Sequence, residues 1–356
     1  MLTGSRAFVG PFHVTIDVSS RCNLRCLGCR YQDNHIDFPS PGAQNVEHMS
    51  VDLIRQLTED LRPMGTNALI LTGEGDPFLH PRLFDIISLI KTSGYHLTLR
   101  TNGTLLDERK IHQLIDDRVD ILKVSLWATS PEEYQTLYPG VHPANFAKTL
   151  NGLRLVDKIK RARASESPRL VIHDVINKHN YMTLDKMIEL AHDNGVNAVY
   201  YAPFKAWRGT MADAIVPNGE SERLGVLFSS ARSKAARLGV GHNINGAQLR
   251  FKIGNNVWDS FPCYIGWFHA RIKLDGTVLP CDPYNIPMGN LNHSRMKDIW
   301  NSRGFREFRR RGLTLEGLAQ LKNESDCGFC CHLENNQRVH HSLRWLRPLL
   351  ARTPRP

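Results

Sequence analysis

The sequence lacks the features of a membrane or secreted protein. A membrane helix needs about 20 consecutive apolar residues, and no stretch of the 356 residues approaches that length. The first residues, MLTGSRAFVGPFHV, lack the apolar core of a signal peptide. These absences predict a cytoplasmic protein without a membrane partner, in a compartment where thiols stay reduced. We therefore expect the eight cysteines to be metal ligands or catalysts rather than disulfides.

Patterns of nucleic-acid-binding domains are also missing, although the chain carries a net charge of +10. No RRM, KH or helix-turn-helix pattern accompanies the charge, which argues against a nucleic-acid partner. We interpret the basic residues as a solvated surface and a loose tail, with an anionic substrate or partner as the alternative. Much of the excess lies near the C-terminus, at Arg303, Arg306, Arg309, Arg310, Arg311, Arg338, Arg344, Arg347, Arg352 and Arg355.

Apolar periodicity predicts six strand–helix units. The predicted strands are 12–19, 67–73, 96–103, 120–129, 169–177 and 197–204. The helices that follow them are 51–64, 81–94, 108–117, 145–162, 182–195 and 221–239. Alternating strands and helices favour an α/β fold with a parallel sheet and right-handed crossovers. Six units form either a partial barrel or an open sheet.

The pattern changes after about residue 245. Residues 270–281 predict a β-hairpin, because two alternating runs are joined by Asp275-Gly276. A helix is predicted at 295–311, and C-G-F-C-C follows at 327–331. We therefore expect a core domain at 1–245, a smaller α+β domain at 246–335 and a basic tail at 336–356.

Three cysteines, Cys22, Cys26 and Cys29, lie in the loop after the first predicted strand. Sites in parallel α/β folds form at the carboxyl ends of the strands. Three thiolates can hold three irons of a [4Fe–4S] cluster and leave the fourth iron without a protein ligand. An open metal position is one where chemistry can occur. Structural zinc is the alternative, but it needs a fourth ligand, and His35 is the only local candidate.

The C-x3-C-x2-C motif resembles that of the radical S-adenosylmethionine (radical SAM) superfamily. Supporting segments are LTGEGDPFLHP (71–81), similar to the family's GGEP segment, TNG (101–103) and KVSLWA (123–128). The resemblance covers about 13–204, with an extension at 255–331. It implies a partial (β/α)6 TIM-type barrel in which SAM chelates the open iron. Reductive cleavage of SAM would give a 5′-deoxyadenosyl radical that removes a hydrogen atom from the substrate.

The resemblance also implies contacts to SAM. The turn that contains Glu74, Gly75 and Asp76 would offer backbone groups to the methionine ammonium, since glycine allows close approach. Asp76 stands where the family usually has Glu. Ser125 and Asn102 would hydrogen-bond the ribose or the carboxylate.

One residue of the cysteine motif departs from the family pattern. Gly28 stands just before the third cysteine, where an aromatic residue is common. Packing against the adenine is then expected from another side chain, with Leu27 and Tyr31 as candidates.

A second cysteine set begins at Cys263, as C-x12-G-x4-C with Cys281, followed by C-x2-C at Cys327 and Cys330. Four thiolates close a [4Fe–4S] cluster, although the bare pattern also suits zinc. Beside the radical SAM motif, the set resembles the shortened SPASM or "twitch" extension, particularly that of 2-deoxy-scyllo-inosamine dehydrogenase-like enzymes of natural-product biosynthesis. The cofactors implied are two [4Fe–4S] clusters and SAM.

A closed cluster is suited to accept an electron, so the leading hypothesis is oxidation of a carbinol in antibiotic biosynthesis. The substrate would be a polar small molecule, such as a sugar, aminocyclitol or nucleoside-like metabolite, and the electron donor a flavodoxin or ferredoxin. Epimerisation, decarboxylation or dehydration of a similar substrate, and maturation of a ribosomal peptide, remain alternatives. No separate leader-binding domain precedes Phe12, which argues against the peptide. An iron–sulfur electron carrier or a zinc module is the non-enzymatic alternative.

Candidate catalytic residues follow from the positions of polar residues at strand ends. Lys205 or Arg208 would bind a carboxylate or phosphate, and Tyr201 or His173 would take a hydroxyl proton. Tyr31, and His269 on the hairpin, are further candidates. Cys331 is either a buried thiol or substitute ligand, or the hydrogen donor that epimerisation requires.

Overall fold

The computed structural model describes residues 4–31, 46–207, 209–253, 261–325, 327 and 330–344. The chain forms two compact units. The first unit consists of Met1–Asp17, Ser40–Ala68 and Ile253–Pro356, and the second of Val18–Pro39 and Leu69–Lys252. Within the described residues, no helix has the length and apolar character needed to cross a membrane.

The strands of the described residues are β1 (His13–Asp17), β2 (Ala68–Thr72), β3 (His96–Thr101), β4 (Ile121–Ser125), β5 (Arg169–Ile176), β6 (Ala198–Pro203), β7 (Gly241–His242), β8 (His269–Ile272), β9 (Thr277–Leu279) and β10 (Gly289–Asn290). The α-helices are α1 (Val51–Leu61), α2 (Leu83–Thr92), α3 (Glu108–Asp116), α4 (Pro131–Leu137), α5 (Ala144–Ala162), α6 (Leu184–Asp193), α7 (Ser221–Leu238), α8 (Ile244–Ile253), α9 (Met296–Ile299), α10 (Arg303–Gly312), α11 (Leu315–Glu324) and α12 (Leu333–Arg344).

The second unit contains an open, mostly parallel sheet in the order β2-β3-β4-β5-β6-β7. The pairs from β3 to β7 are parallel, and helices connect most successive strands. The predicted strand–helix alternation and the α/β partial-barrel fold are therefore confirmed. The sequence did not predict β7, which has two residues.

The two faces of this sheet differ in polarity because successive side chains of a strand point to opposite faces. One face is apolar and buried; its members include Leu97, Leu99, Leu122, Val124, Leu170, Ile172 and Val199. The other face, called here the inner face, carries Arg100, Lys123, Ser125, His173 and Tyr200, which are partly or well exposed. The sequence thus places a row of polar side chains along one face of the sheet.

Strands of the first unit follow the order β10-β9-β8-β1. β1 pairs in parallel with β8, with His13 beside His269 and Thr15 beside Arg271. β8 and β9 form the predicted antiparallel hairpin. Its turn places Gly276 at a φ of +80°, a conformation that glycine adopts without steric cost.

The helix predicted at 295–311 is two helices, α9 and α10. Ser302 separates them, and its hydroxyl accepts a hydrogen bond from the Phe305 N–H as the N-cap of α10. The sequence analysis also missed α4, α8, α11 and α12. Since α12 covers Leu333–Arg344, the expectation of a loose tail from residue 336 is wrong for that part. Arg347, Arg352 and Arg355 lie outside the described residues.

Arg309 corrects the interpretation of the basic residues of α10 as a solvated surface. Its side chain is 1% exposed. Its guanidinium donates to the carbonyls of Gly266 and Trp300, both at 2.7 Å, and to the Ser5 carbonyl and the Asn301 side chain, both at 3.1 Å. Burial lowers the pKa of Arg309 to about 10. The residue therefore joins several segments of the first unit.

Replacement of Arg309 by Met tests this role. Arg309→Met leaves buried carbonyls without a donor, so we expect a loss of about 3 kcal/mol or more in unfolding free energy. Thermal and chemical denaturation measure it. Arg310→Met is the control, because Arg310 lies on the same helix, is exposed and pairs with the exposed Glu307. Equal losses in the two variants would contradict the assignment.

Candidate metal centres

Cys22, Cys26 and Cys29 follow β1 and belong to the second unit. Burial raises the pKa of the Cys22 thiol and raises that of Cys26 well above its ordinary value. The negative charges of Cys29 and Asp76 raise both pKa values further. Thiolates that repel one another in a buried site are stabilised by a metal. The donor set therefore fits an iron–sulfur cluster held by three cysteines.

The predicted glycine turn after β2 is held against the start of the cysteine loop. The N–H of Gly75 donates to the Ser19 carbonyl at 2.8 Å, and that of Asp76 donates to the Arg21 carbonyl at 2.7 Å. A Cβ on Gly75 would lie 2.0 Å from the Arg21 oxygen. Only glycine fits this contact. Glu74 is partly exposed in the same turn.

The side chain of Asp76 positions the turn after β3. Its buried carboxylate accepts hydrogen bonds from the Thr101 hydroxyl at 2.8 Å, the Asn102 N–H at 2.7 Å and the Phe78 N–H at 2.9 Å. The Asn102 amide nitrogen donates to the Asn23 side chain at 2.9 Å and lies 4.0 Å from the Cys22 sulfur. Asp76 thus fixes Asn102 beside the first cysteine, a role that the sequence did not reveal.

Ser125 ends β4 and is partly exposed. It lies beside His173 in the pairing of β4 with β5, on the inner face. Its proposed contact with SAM remains a prediction.

Phe204 occupies the space that a side chain at position 28 would need. A Cβ on Gly28 would lie 2.4 Å from Cε2 of Phe204. Phe204 follows β6 and is buried beside Met211, and Leu27 packs against the same cluster. The Phe204 ring, from another strand end, therefore fills the space next to Gly28. Tyr31, the other candidate, lies with its ring centroid 5.1 Å from the Arg30 guanidinium.

Tyr201 is not at the mouth of the barrel, as predicted, but buried on the helix-covered face. Its hydroxyl donates to the Leu184 carbonyl at 2.6 Å, and its ring lies 6.3 Å from that of Phe228 on α7. Alternation within β6 explains the error, since the neighbouring Tyr200 faces the opposite side. A tyrosine in this position cannot take a substrate proton.

The other two candidates beyond β6 are Lys205 and Arg208. The Lys205 ammonium lies 3.9 Å from the ring centroid of Trp207, in cation–π contact. Arg208 lies outside the described residues.

A pocket in the first unit is lined by all four predicted ligands of the second cluster. Burial raises the pKa values of Cys263 and Cys281 well above the ordinary value, and the nearby thiols raise them further. The rest of the lining is Ile265, Pro283, Phe308, Leu318, Leu321, Cys331 and His332. An apolar cavity in which thiols converge fits a [4Fe–4S] cluster.

Asn336 supports Cys330 as a ligand, and the sequence analysis missed it. Its side-chain nitrogen donates to the Cys330 sulfur at 3.6 Å, and its oxygen accepts the Tyr264 N–H at 2.7 Å. Asn336 is fully buried on α12. The helical periodicity of residues 333–344 could have indicated that Asn336 lies on a helix. The prediction of a tail from residue 336 excluded it. Ser325 similarly donates to Cys327 at 3.0 Å.

Cys331 and His332 lie at the same cavity. Cys331 is exposed, and its sulfur lies within 4.8 Å of ligand atoms of Asp282 and His332. Its role as a hydrogen donor remains a prediction.

His269 has a structural role. The His332 ring lies 4.5 Å from that of His269. Both ring nitrogens of His269 form hydrogen bonds within the first unit. Nε2 lies 3.1 Å from the Thr15 hydroxyl, and Nδ1 lies 2.9 Å from the Pro280 carbonyl oxygen. Burial lowers its pKa well below the ordinary range, so the ring is neutral. His269 is therefore unavailable to a substrate.

Comparison with known families decides the class of the chain. Residues 16–202 match the model of the radical SAM superfamily. The chain belongs to the radical SAM superfamily. Residues 263–336 match SPASM, an iron–sulfur cluster-binding domain. The protein is therefore a SAM-dependent radical SAM enzyme with a SPASM/twitch domain, and its cofactors are two [4Fe–4S] clusters and SAM.

Its relatives include two archaeal proteins. The tungsten-containing aldehyde ferredoxin oxidoreductase cofactor-modifying protein of Pyrococcus furiosus is 23% identical over 309 residues, 83% of each chain. The AdoMet-dependent heme synthase of Methanosarcina barkeri is 24% identical over 336 residues, 90% of this chain and 88% of the relative.

Solved structures show the same fold. Streptococcus suis SuiB bound to its precursor peptide SuiA superposes with a TM-score of 0.66 at 13% identity, over 88% of this chain and 72% of SuiB. His-tagged anSMEcpe with bound AdoMet gives a TM-score of 0.63 at 17% identity, over 86% and 81% of the two chains.

Substitution of Gly75 tests how the turn supports the first cluster. In Gly75→Ala the new Cβ collides with the Arg21 carbonyl and displaces the cysteine loop. We expect iron and acid-labile sulfide to fall by about half, since one of two four-iron clusters is affected. Gly225→Ala on α7 is the control, because nothing lies within 4 Å of its added Cβ. Full iron content in Gly75→Ala would refute the role of the turn.

Substitution of adjacent cysteines tests the ligands of the second cluster. Cys330→Ala removes the thiol that Asn336 contacts, so we expect it to lose about four irons. The matched variant Cys331→Ala should keep them. Asn336→Leu should retain the cluster but lower its reduction potential, because an N–H···S bond stabilises the reduced form. Iron analysis and redox titration followed by electron paramagnetic resonance provide the measurements. If Cys331→Ala lost the iron and Cys330→Ala kept it, Cys331 and not Cys330 would be the cluster ligand.

Proposed function

We propose that this enzyme removes a hydrogen atom from a carbinol carbon of a polar small molecule and oxidises the carbinol to a ketone. The proposed substrate is a sugar, aminocyclitol or nucleoside-like metabolite of natural-product biosynthesis, including antibiotic biosynthesis. The observation that carries the proposal is a neutral histidine, His173, on the inner face beside Ser125. An oxidation of this kind needs a proton acceptor near the reacting carbon.

Cys22, Cys26 and Cys29 hold the first cluster in this proposal, and Cys263, Cys281, Cys327 and Cys330 hold the second. When bound, SAM and the clusters supply radical hydrogen abstraction and a site that accepts one electron. The turn at Gly75 and the Asn102 side chain orient SAM, and Phe204 supplies the apolar wall that Gly28 leaves open. The protein thus positions the reactive groups and excludes water.

His173 takes the hydroxyl proton. Burial lowers its pKa well below the ordinary value, and the charges of Lys123, Arg100 and Arg250 lower it further. The lowered pKa keeps the imidazole uncharged at neutral pH, the form with a lone pair for a proton, and makes it a weak base. The atoms and electrons would balance: one hydrogen atom would leave with 5′-deoxyadenosine, one proton would go to His173, and the second cluster, when bound, would supply the acceptor for one electron.

A decarboxylation or elimination on a carboxylated substrate is the second candidate. It is favoured by Arg100 and Lys123 on the inner face, which would attract a carboxylate. Loss of CO2 in the product mass would identify decarboxylation. Epimerisation, with Cys331 as hydrogen donor, and peptide maturation, as the SuiB complex with SuiA suggests, are tested by the same product analysis.

The setting of the enzyme is part of the proposal. We place it in the cytoplasm, with a flavodoxin or ferredoxin as electron donor, because buried thiols that bind iron need a reducing compartment. The domain boundaries at 245 and 335 also remain proposals.

The stoichiometry of the reaction tests the oxidation. Anaerobic, dithionite-reduced holoenzyme incubated with a panel of sugars, aminocyclitols and nucleosides should consume one SAM per ketone without added oxidant. His173→Gln should lower ketone formation about 100-fold, because the proton acceptor is lost. Tyr201→Phe is the control and should turn over normally. Mass spectrometry quantifies product and 5′-deoxyadenosine. A product of unchanged oxidation state would exclude the oxidation.

A further inference from the structure

Two cations lie side by side on the inner face. Arg100 of β3 is paired with Lys123 of β4, and side chains opposite each other in neighbouring strands point to the same face. Both are partly exposed. The Lys123 ammonium lies 4.8 Å from the ring centroid of Tyr200 on β6, so its side chain extends across β5.

A third cation, Arg250, belongs to α8. The charges of Lys123, Arg100 and Arg250 all act on His173, and each lowers the pKa of its imidazole. His173 lies beside Tyr200 in the pairing of β5 with β6. Strands β3 and β4 therefore direct two positive charges to the middle of the inner face, and Arg250 of α8 adds a third that acts on His173.

This group of cations is close to the SAM end of the sheet. Lys123 precedes Ser125 by two residues, or about 7 Å along the strand, and Arg100 precedes Asn102 by two residues. A molecule that reached from Ser125 towards the middle of the sheet would meet both cations. The spacing matches the length of a small metabolite with an anionic group at one end.

We propose that Arg100, Lys123 and Arg250 form a subsite for a carboxylate or phosphate group of the substrate. This inference rests on the proposed function and specifies its substrate as an anionic small molecule. It assigns anion binding to the inner face rather than to Lys205, whose ammonium contacts Trp207. Two guanidinium groups can each bind a carboxylate or phosphate through paired N–H donors. Partial burial strengthens the attraction, since the surroundings have a lower dielectric than water.

Anion binding to the full-length holoenzyme tests the subsite. Pyrophosphate serves as the phosphate probe and citrate as the carboxylate probe, each titrated calorimetrically at two salt concentrations. We expect Arg100→Gln/Lys123→Gln to weaken binding of the preferred probe at least about tenfold, as loss of charged hydrogen bonds predicts. Arg100→Lys keeps the charge but loses the paired N–H donors, so its affinity should fall between those of the wild type and the double variant. The control, Lys148→Gln/Lys158→Gln, removes two exposed lysines of α5 and should bind as the wild type does.

The outcomes separate this inference from the proposed function. Stronger binding of pyrophosphate indicates a phosphate substrate, and stronger binding of citrate a carboxylate substrate. Equal binding by the inner-face double variant and the α5 control, with both folded by circular dichroism, would overturn the subsite. So would failure of the wild type to bind either probe. The proposed function fails separately, if wild-type holoenzyme forms no 5′-deoxyadenosine or no oxidised product while anion binding persists.

Discussion

Buried thiols that repel one another are the constraint on which both centres depend. Cys26 in the second unit and Cys263 and Cys281 in the first all have pKa values raised by burial and by neighbouring sulfur. In such surroundings the thiolate is costly unless a cation neutralises it. The surrounding protein is arranged to compensate, through Leu24 and Asn102 near Cys22 and through Ser325 and Asn336 near the second set. Metal binding therefore stabilises the folded protein as well as enabling its chemistry.

Local sequence patterns were sufficient for strands β1 to β6, for the hairpin of β8 and β9 and for both cysteine sets. Short apolar or alternating runs located β1 to β6, because each strand buries one face or both. Ligand spacing located the cysteines, because three or four thiols must reach one cluster. Such signals act over short stretches of chain. The periodicity of residues 295–311 predicted one helix, because it does not show where a helix is interrupted. The structure has two helices, and Ser302 caps the second.

Contacts between distant segments could not be predicted in this way. Asp76 binds a turn 26 residues further along the chain, and the Phe204 ring fills space beside Gly28. Neither contact has a local pattern, since each depends on which strand ends are neighbours. Tyr201 shows a related limit: a change of one residue in strand phase moves a side chain to the other face. Tyr200 and Tyr201 look equivalent in sequence, and only their burial distinguishes them.

The composition of the first unit has a consequence for biosynthesis. Its strand β1 is synthesised about 250 residues before its partner β8, which is His269–Ile272. At about 5–20 residues per second, the ribosome needs roughly 13 to 50 seconds to reach that partner. During this interval the edge of β1 that later faces β8 has no strand to join, and the thiols of the second set do not yet exist. The second iron–sulfur centre can therefore be installed only after Cys330 has been synthesised, about 300 residues after the last ligand of the first centre, Cys29.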